Sequence, residues 1–159
     1  MTKAPYLLEF FEADNGTQPC RKFIDKELTV TQRSALVVAL DEVLAFEGQN
    51  VCATPFGKLL GGGLFEFRLD LDAEAIRSLR SSNKTGAGSG KTHESILLRV
   101  FCHAYGEKIV LLLSGYDKKA DPKAQNREIE AAHKLLGQFK RQNQSGGRKP
   151  SKQFRAIFL

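Results

Sequence analysis

The pattern of apolar and polar positions divides the chain into a helical first third and a strand-rich middle. Residues 6–11 (YLLEFF) are aromatic-rich and strand-like, and Asn15-Gly16 is a turn signal. Residues 17–28 read as a short helix that sends Phe23 and Ile24 to the core. Thr29 with Gln32 has the spacing of a capping box, which opens a second helix. That helix carries Leu36, Leu40, Val43 and Leu44 on one stripe, and Gly48 stands just past its end. The period then changes. Residues 64–71 (LFEFRLDL) alternate strictly, with Phe65, Phe67, Leu69 and Leu71 on one face and Glu66, Arg68 and Asp70 on the other. Residues 95–104 (SILLRVFCHA) form another strand, on which Arg99 and His103 share a face. A turn at residues 105–107 leads into a strand over residues 108–114. Asp121 can cap a last helix with Pro122 in its first turn, and Ile129, Ala132, Leu136 and Phe139 give that helix an apolar stripe.

The order strand–helix–helix–strand–strand–strand–helix predicts an α+β domain: a small twisted antiparallel sheet with two N-terminal helices and one C-terminal helix. With the helices on one face, the other is left to water. That open face would carry Arg68, Arg99 and His103. The domain spans residues 1–142, with residues 72–94 as an inserted loop. Residues 143–159 are polar, basic and punctuated by Gly and Pro, and read as a mobile tail.

Composition narrows the setting. A chain of 159 residues, 42% apolar, suits one compact domain. No apolar run approaches the roughly 20 residues needed to span a bilayer. The N-terminal stretch is too short for a signal peptide, with Glu9 close to its apolar residues. Three cysteines, widely spaced and without a CxxC pair, argue against a disulfide framework or a zinc site. A cytoplasmic location with reduced thiols is the expectation. Charge is unevenly spread. Residues 1–57 carry a net −3, residues 58–114 a net +2, and residues 115–159 a net +7. A basic C-terminal third on a near-neutral body fits either a polyanion-binding surface or a solubilising tail.

Candidate chemistry concentrates in the strands. The run Gly86-Ala87-Gly88-Ser89-Gly90-Lys91-Thr92 imitates a phosphate-binding loop, but Thr85 stands where the pattern requires its first glycine. The flanks are wrong as well: residues 77–85 are polar where a buried strand should lead in, and a strand follows where a helix should. The three histidines lack metal-ligand spacing, and His103 stands out only because it shares a face with Arg99. The densest cluster is residues 114–119 (SGYDKK), a strand end that turns into two lysines. With Lys58, Arg68 and Arg99 it can gather cations round a phosphate. RNA is cleaved without a metal when its own 2′-hydroxyl attacks. A protein then supplies a base, an acid and fixed positive charge for the crowded phosphate. Arginine suits the last role because its planar fork stays charged and matches phosphate oxygens. Tyr116 can stack on a splayed base. The same residues also suit simple binding of nucleic acid or of an acidic partner's groove.

These segments resemble a known family. Residues 55–60 (PFGKLL) followed by 63–68 (GLFEFR) are similar to the "fkkL…gLwElR" stretch of phage-derived HigB-like toxins in the RelE superfamily. Residues 98–101 (LRVF) resemble the family's "yRvly" strand, residues 109–119 (IVLLLSGYDKK) its "ivlLhgFxKK", and residues 127–132 (REIEAA) its "rEIerA" helix. The likeness runs over about residues 6–140, with the four pieces in order. It implies a small antiparallel sheet with helices and the toxin of a type II toxin–antitoxin system, a ribosome-dependent mRNA endonuclease that needs no metal and no cofactor. It also implies an antitoxin, often of helix-turn-helix type, through whose complex operator DNA is bound. By this resemblance Arg68, Arg99, Lys118 and Lys119 are catalytic, and Lys58, Arg68, Lys118 and Lys119 bind RNA. The family's frequent histidine before "gF" is Ser114 here, and the tyrosine ending "Rvly" is Cys102. Proton transfer therefore falls to Tyr116 or His103. A relative that has lost catalysis and only binds RNA or a partner is the alternative.

Overall fold

The computed structural model describes residues 3–72, 74–75, 95–144 and 152–158. The chain opens with strand β1 (Leu7–Phe10) and passes into helix α1 (Pro19–Lys22), with Pro19 at the helix start, where an amide hydrogen is not needed. A wider π-turn over Phe23–Glu27 carries Phe23 and Ile24 into the core. Helix α2 (Val30–Ala39) begins at the capping box: the Gln32 amide donates to Thr29 Oγ1 (3.1 Å), and the Thr29 amide donates to Gln32 Oε1 (2.9 Å). Helical turns continue to Glu47, and Gly48, whose φ of 56° favours glycine, opens a 3-10 helix over Gly48–Ala53. A Cβ there would lie 2.5 Å from the Tyr6 ring, so the site excludes a side chain on two grounds.

The remaining strands are β2 (Gly57–Gly61), β3 (Leu64–Leu71), β4 (Ile96–Tyr105), β5 (Ile109–Asp117) and the short β6 (Lys152–Gln153). Their order in one sheet is β2-β3-β4-β5-β1-β6. From β2 to β5 neighbours are antiparallel, but β1 runs parallel to β5, so the sheet is mixed rather than purely antiparallel. This corrects the expectation. After β1 the chain crosses through the helices to the far edge of the sheet, and β1 pairs with the last long strand in the same direction. Residue periodicity does not encode that choice.

Helix α3 (Gln125–Gln144) supplies the second correction. It packs on the face opposite α1 and α2, so no face is left wholly to water. One core joins Cys20, Phe23, Leu36, Leu40 and Leu44 to Phe65, Phe67, Leu98, Val100 and Leu112. The other joins Ala132, Leu136 and Phe139 of α3 to Phe11, Leu64, Phe101, Leu111 and Leu113. Both faces of β4 are thus mostly covered. The expected helix start at Asp121 is also displaced: residues 121–124 form a turn, with the Ala124 amide donating to Asp121 O, before α3 begins.

The expected tail divides in two. Residues 145–151 and 159 lie outside the described residues, but helix α4 (Phe154–Phe158) packs on the sheet edge. Phe154 is fully buried, 6.0 Å from the Phe10 ring centroid, and Arg155 pairs with Asp41 at 2.7 Å. Phe154, Ile157 and Phe158 share one helical face, which explains why this end of the chain is held. Most of residues 72–94 also lies outside the described set, including the imitation of a phosphate loop.

Candidate nucleic-acid interface

The sheet register sets the candidate residues in rows on the α3 face. One row runs Lys58–Glu66–Phe101–Ser114 from β2 to β5. The next runs Arg68–Arg99–Tyr116. Beyond it Asp70 stands opposite Leu97, whose carbonyl accepts from the Lys118 amide at 2.9 Å. Strand alternation therefore brings Lys58, Arg68, Arg99, Tyr116 and the Lys118-Lys119 turn to one region. Two carboxylates, Glu66 and Asp70, lie among them.

Arg68 and Arg99 face each other directly across an antiparallel pair, a like-charge arrangement that is unfavourable unless compensated. Glu66 supplies the inner compensation. It is fully buried; its Oε1 accepts from Arg68 Nε at 2.8 Å and lies 3.9 Å from Arg99 Nε. Asp70 supplies the outer one, accepting from Arg99 Nη1 at 2.5 Å. Arg99 Nη1 also donates to Leu98 O at 3.0 Å. Arg99 is only 3% exposed, which corrects its expected place on a wet face. Arg68 is half-buried, Lys58 and Lys119 are exposed, and Lys118 is intermediate. A cationic rim thus surrounds a neutralised interior.

Tyr116 is buried, 6% exposed, with its ring stacked on Phe101 at 5.9 Å. Burial pushes its phenol above the usual tyrosine value. The charges of Glu66 and Glu128 add to this, and those of Arg99 and Arg68 oppose it. At neutral pH the group is protonated and can act only as a proton donor. The sign for stability follows. Tyr116 supports the fold fully below the ordinary tyrosine pKa, and this contribution is lost as pH rises through its raised folded value. Four buried polar atoms here have no hydrogen-bond partner among the described residues: Glu66 Oε2, Arg99 Nε, Ser114 Oγ and Tyr116 OH. Such atoms are normally satisfied, so their concentration in two adjoining rows marks the region.

His103 is not brought to this region. It lies four residues along β4 from Arg99, about 13 Å at the usual strand rise. Its Nδ1 is 2.8 Å from Gly63 O, and its ring stacks on Tyr105 and abuts Phe139 of α3. His103 thus stands apart from the cluster round Arg99. Cys102 belongs to the core on the opposite face, and burial pushes its thiol well up. The residue standing where the family has a tyrosine thus points away from Arg99. Glu66, Asp70 and Ser114 are what the choice of candidate site residues omitted. The available signal was the two-residue spacing of Glu66, Arg68 and Asp70, which places acid and base on one face.

Gly115 shows why the β5 end of the site has its sequence. A Cβ at that position would lie 2.5 Å from the Phe23 ring and 2.9 Å from Arg99 O. The N-terminal helical layer rests directly on the strand at this point. Gly115→Ala is expected to destabilise the protein by about 1–3 kcal/mol, the scale of an overpacked core. A urea midpoint unchanged from the wild type would show that the contact relaxes freely.

A cleft of about 510 Å³ lies beside β2, lined in part by Tyr6, Cys52, Leu59 and Ala104. Leu59 and Ala104 alternate onto the α1–α2 face, so this cleft is separate from the arginines. Among the described residues no group of three or more His, Cys, Asp or Glu is arranged to hold a metal. None of the described helices is long and apolar enough to cross a membrane. Comparison of the chain with family models, with curated proteins and with solved structures gave no match.

Proposed function

We propose that this protein is the toxin of a type II toxin–antitoxin pair, a cytoplasmic mRNA endonuclease acting at the ribosome, as its likeness to RelE and HigB toxins implies. The observation that carries the reading is the opposed pair Arg68 and Arg99 in one row with Tyr116, bordered by Lys58, Lys118 and Lys119. Glu66 and Asp70 balance the two guanidinium groups within the protein, and the lysines on the border remain to attract a polyanion. Here Arg68 and the rim lysines engage the RNA backbone, and Arg99 meets the phosphate where charge accumulates. Tyr116, held protonated, gives its proton to the leaving 5′-oxygen as the RNA's 2′-oxygen attacks the phosphorus, and the proton of the 2′-hydroxyl passes to water. The antitoxin covers Arg68 and the Lys118-Lys119 turn, and operator DNA is bound through that complex.

The test is induced expression followed by mapping of mRNA ends. Growth arrest with cuts inside codons at the ribosomal A site is the expected result, relieved by co-expression of a cognate antitoxin. The burial of Arg99 and Tyr116 favours a second reading, a relative that binds RNA without cutting it. RNA binding with intact transcripts in a single-turnover assay would establish that second reading and remove the first.

A further inference from the structure

We infer that Asp70 is the resting occupant of a phosphate site, a carboxylate that an RNA phosphodiester displaces from Arg99. The inference rests on the RNA-directed reading above and adds how its site is closed and opened. The two carboxylates of the network differ in kind. Glu66 is wholly buried and fixed against Arg68, as a permanent counter-charge should be. The Asp70 side chain is 52% exposed, although the Arg99 side chain it grips is only 4% exposed. Among the described residues Asp70 pairs with Arg99 alone. It holds the buried guanidinium from the solvent side and can leave without opening either core.

Arg99 Nε, a donor, and the Tyr116 and Ser114 hydroxyls, which can donate or accept, have no partner among the described residues, and all three side chains stand on the same face of β4 and β5. Glu66 Oε2 is without a partner there as well. A phosphate offers several oxygens to such donors, and to a guanidinium it presents the same planar pair of acceptors that a carboxylate does. Lys58, Arg68 and Lys118 on the border supply attraction for the incoming polyanion. Asp70 therefore acts as an internal competitor, and the measured affinity for RNA is lowered by the fraction of molecules in which it sits on Arg99.

The experiment measures anisotropy of a labelled single-stranded 2′-O-methyl RNA, which binds but cannot be cut through its own 2′-oxygen. Asp70→Asn is expected to bind about tenfold tighter than wild type, the change for a site closed nine-tenths of the time. Glu107→Gln, the same change of charge on the exposed β4–β5 turn, controls for net charge. Adding Arg99→Gln to Asp70→Asn should abolish the gain, and Asp70→Ser replaces the asparagine variant if circular dichroism shows that it does not fold. Binding no tighter than that of the Glu107→Gln control, or a gain that survives loss of Arg99, overturns the inference. Cleavage is a separate readout. A wild type that does not cut, with the Asp70→Asn gain intact, discards the nuclease and keeps the phosphate site; loss of the gain discards the site whatever the cleavage rate.

Discussion

Arg99→Ala is expected to slow single-turnover cleavage of A-site mRNA by about 10²–10³-fold, the scale for removing one preorganised donor to transition-state charge. The structure adds a second consequence. Arg99 lies inside, between Glu66 and Asp70, so its loss leaves Glu66 buried with Arg68 as its remaining cation. Breaking a buried ion pair from one side costs about 3–5 kcal/mol, and the surviving Arg68 contact places this case at the lower end. Cleavage must therefore be compared at equal folded fraction, checked by thermal denaturation. Arg99→Lys should recover much of the stability but only part of the rate, because an ammonium cannot present the planar fork. Binding to the ribosome should persist, since Lys58, Arg68, Lys118 and Lys119 remain. Cleavage by folded Arg99→Ala at the wild-type rate would remove Arg99 from the catalytic site.

Glu66→Ala is expected to be the most destabilising change in the site, by about 3–5 kcal/mol. It leaves two guanidinium groups facing each other across β3 and β4, with Asp70 the only carboxylate among the described residues still paired with either. It also opens a void beside Phe101, the register neighbour of Glu66 on β4. Glu66→Gln keeps the volume and separates charge from packing. In this variant Tyr116 should titrate at lower pH than in wild type. Burial is the largest cause of its raised value and the charge of Glu66 the next; without that charge, burial and Glu128 still raise it but Arg99 and Arg68 offset more of the shift. Alkaline difference absorbance, with Tyr116→Phe identifying the signal, reads this directly, since the chain has three tyrosines and no tryptophan. An unmoved Tyr116 titration would mean that Glu66 does not act on the phenol.

Several elements were legible because their causes are local. The strict alternation of residues 64–71 becomes β3, with Phe65, Phe67 and Leu69 inside. Thr29 and Gln32 cap α2 as their spacing requires, and Gly48 ends that helical run in a left-handed conformation. The rows holding Arg68 and Arg99 follow from that same alternation once β3 and β4 are paired. Strand β2 was missed because GKLLG is short, bounded by glycines and weak in β-branched residues. Helix α4 is not legible in the sequence because its neighbours are polar, and contacts distant in the chain hold it: Phe154 and Phe158 against Phe10, and Arg155 with Asp41.

By itself the sequence determined which residues alternate, where the capping box opens α2, and that acid and base share one face of β3, since these depend on spacings of two to four residues. Tertiary structure alone decided that β1 lies parallel to β5 and that α3 covers the face opposite α1 and α2. It also decided that Arg99 is an inner residue held by Glu66 and Asp70 rather than an exposed cation. The physical reason is that an arginine's role depends on which charges and layers surround it. Those come from strands and helices brought together by long-range pairing, and the pattern of any one segment does not contain them.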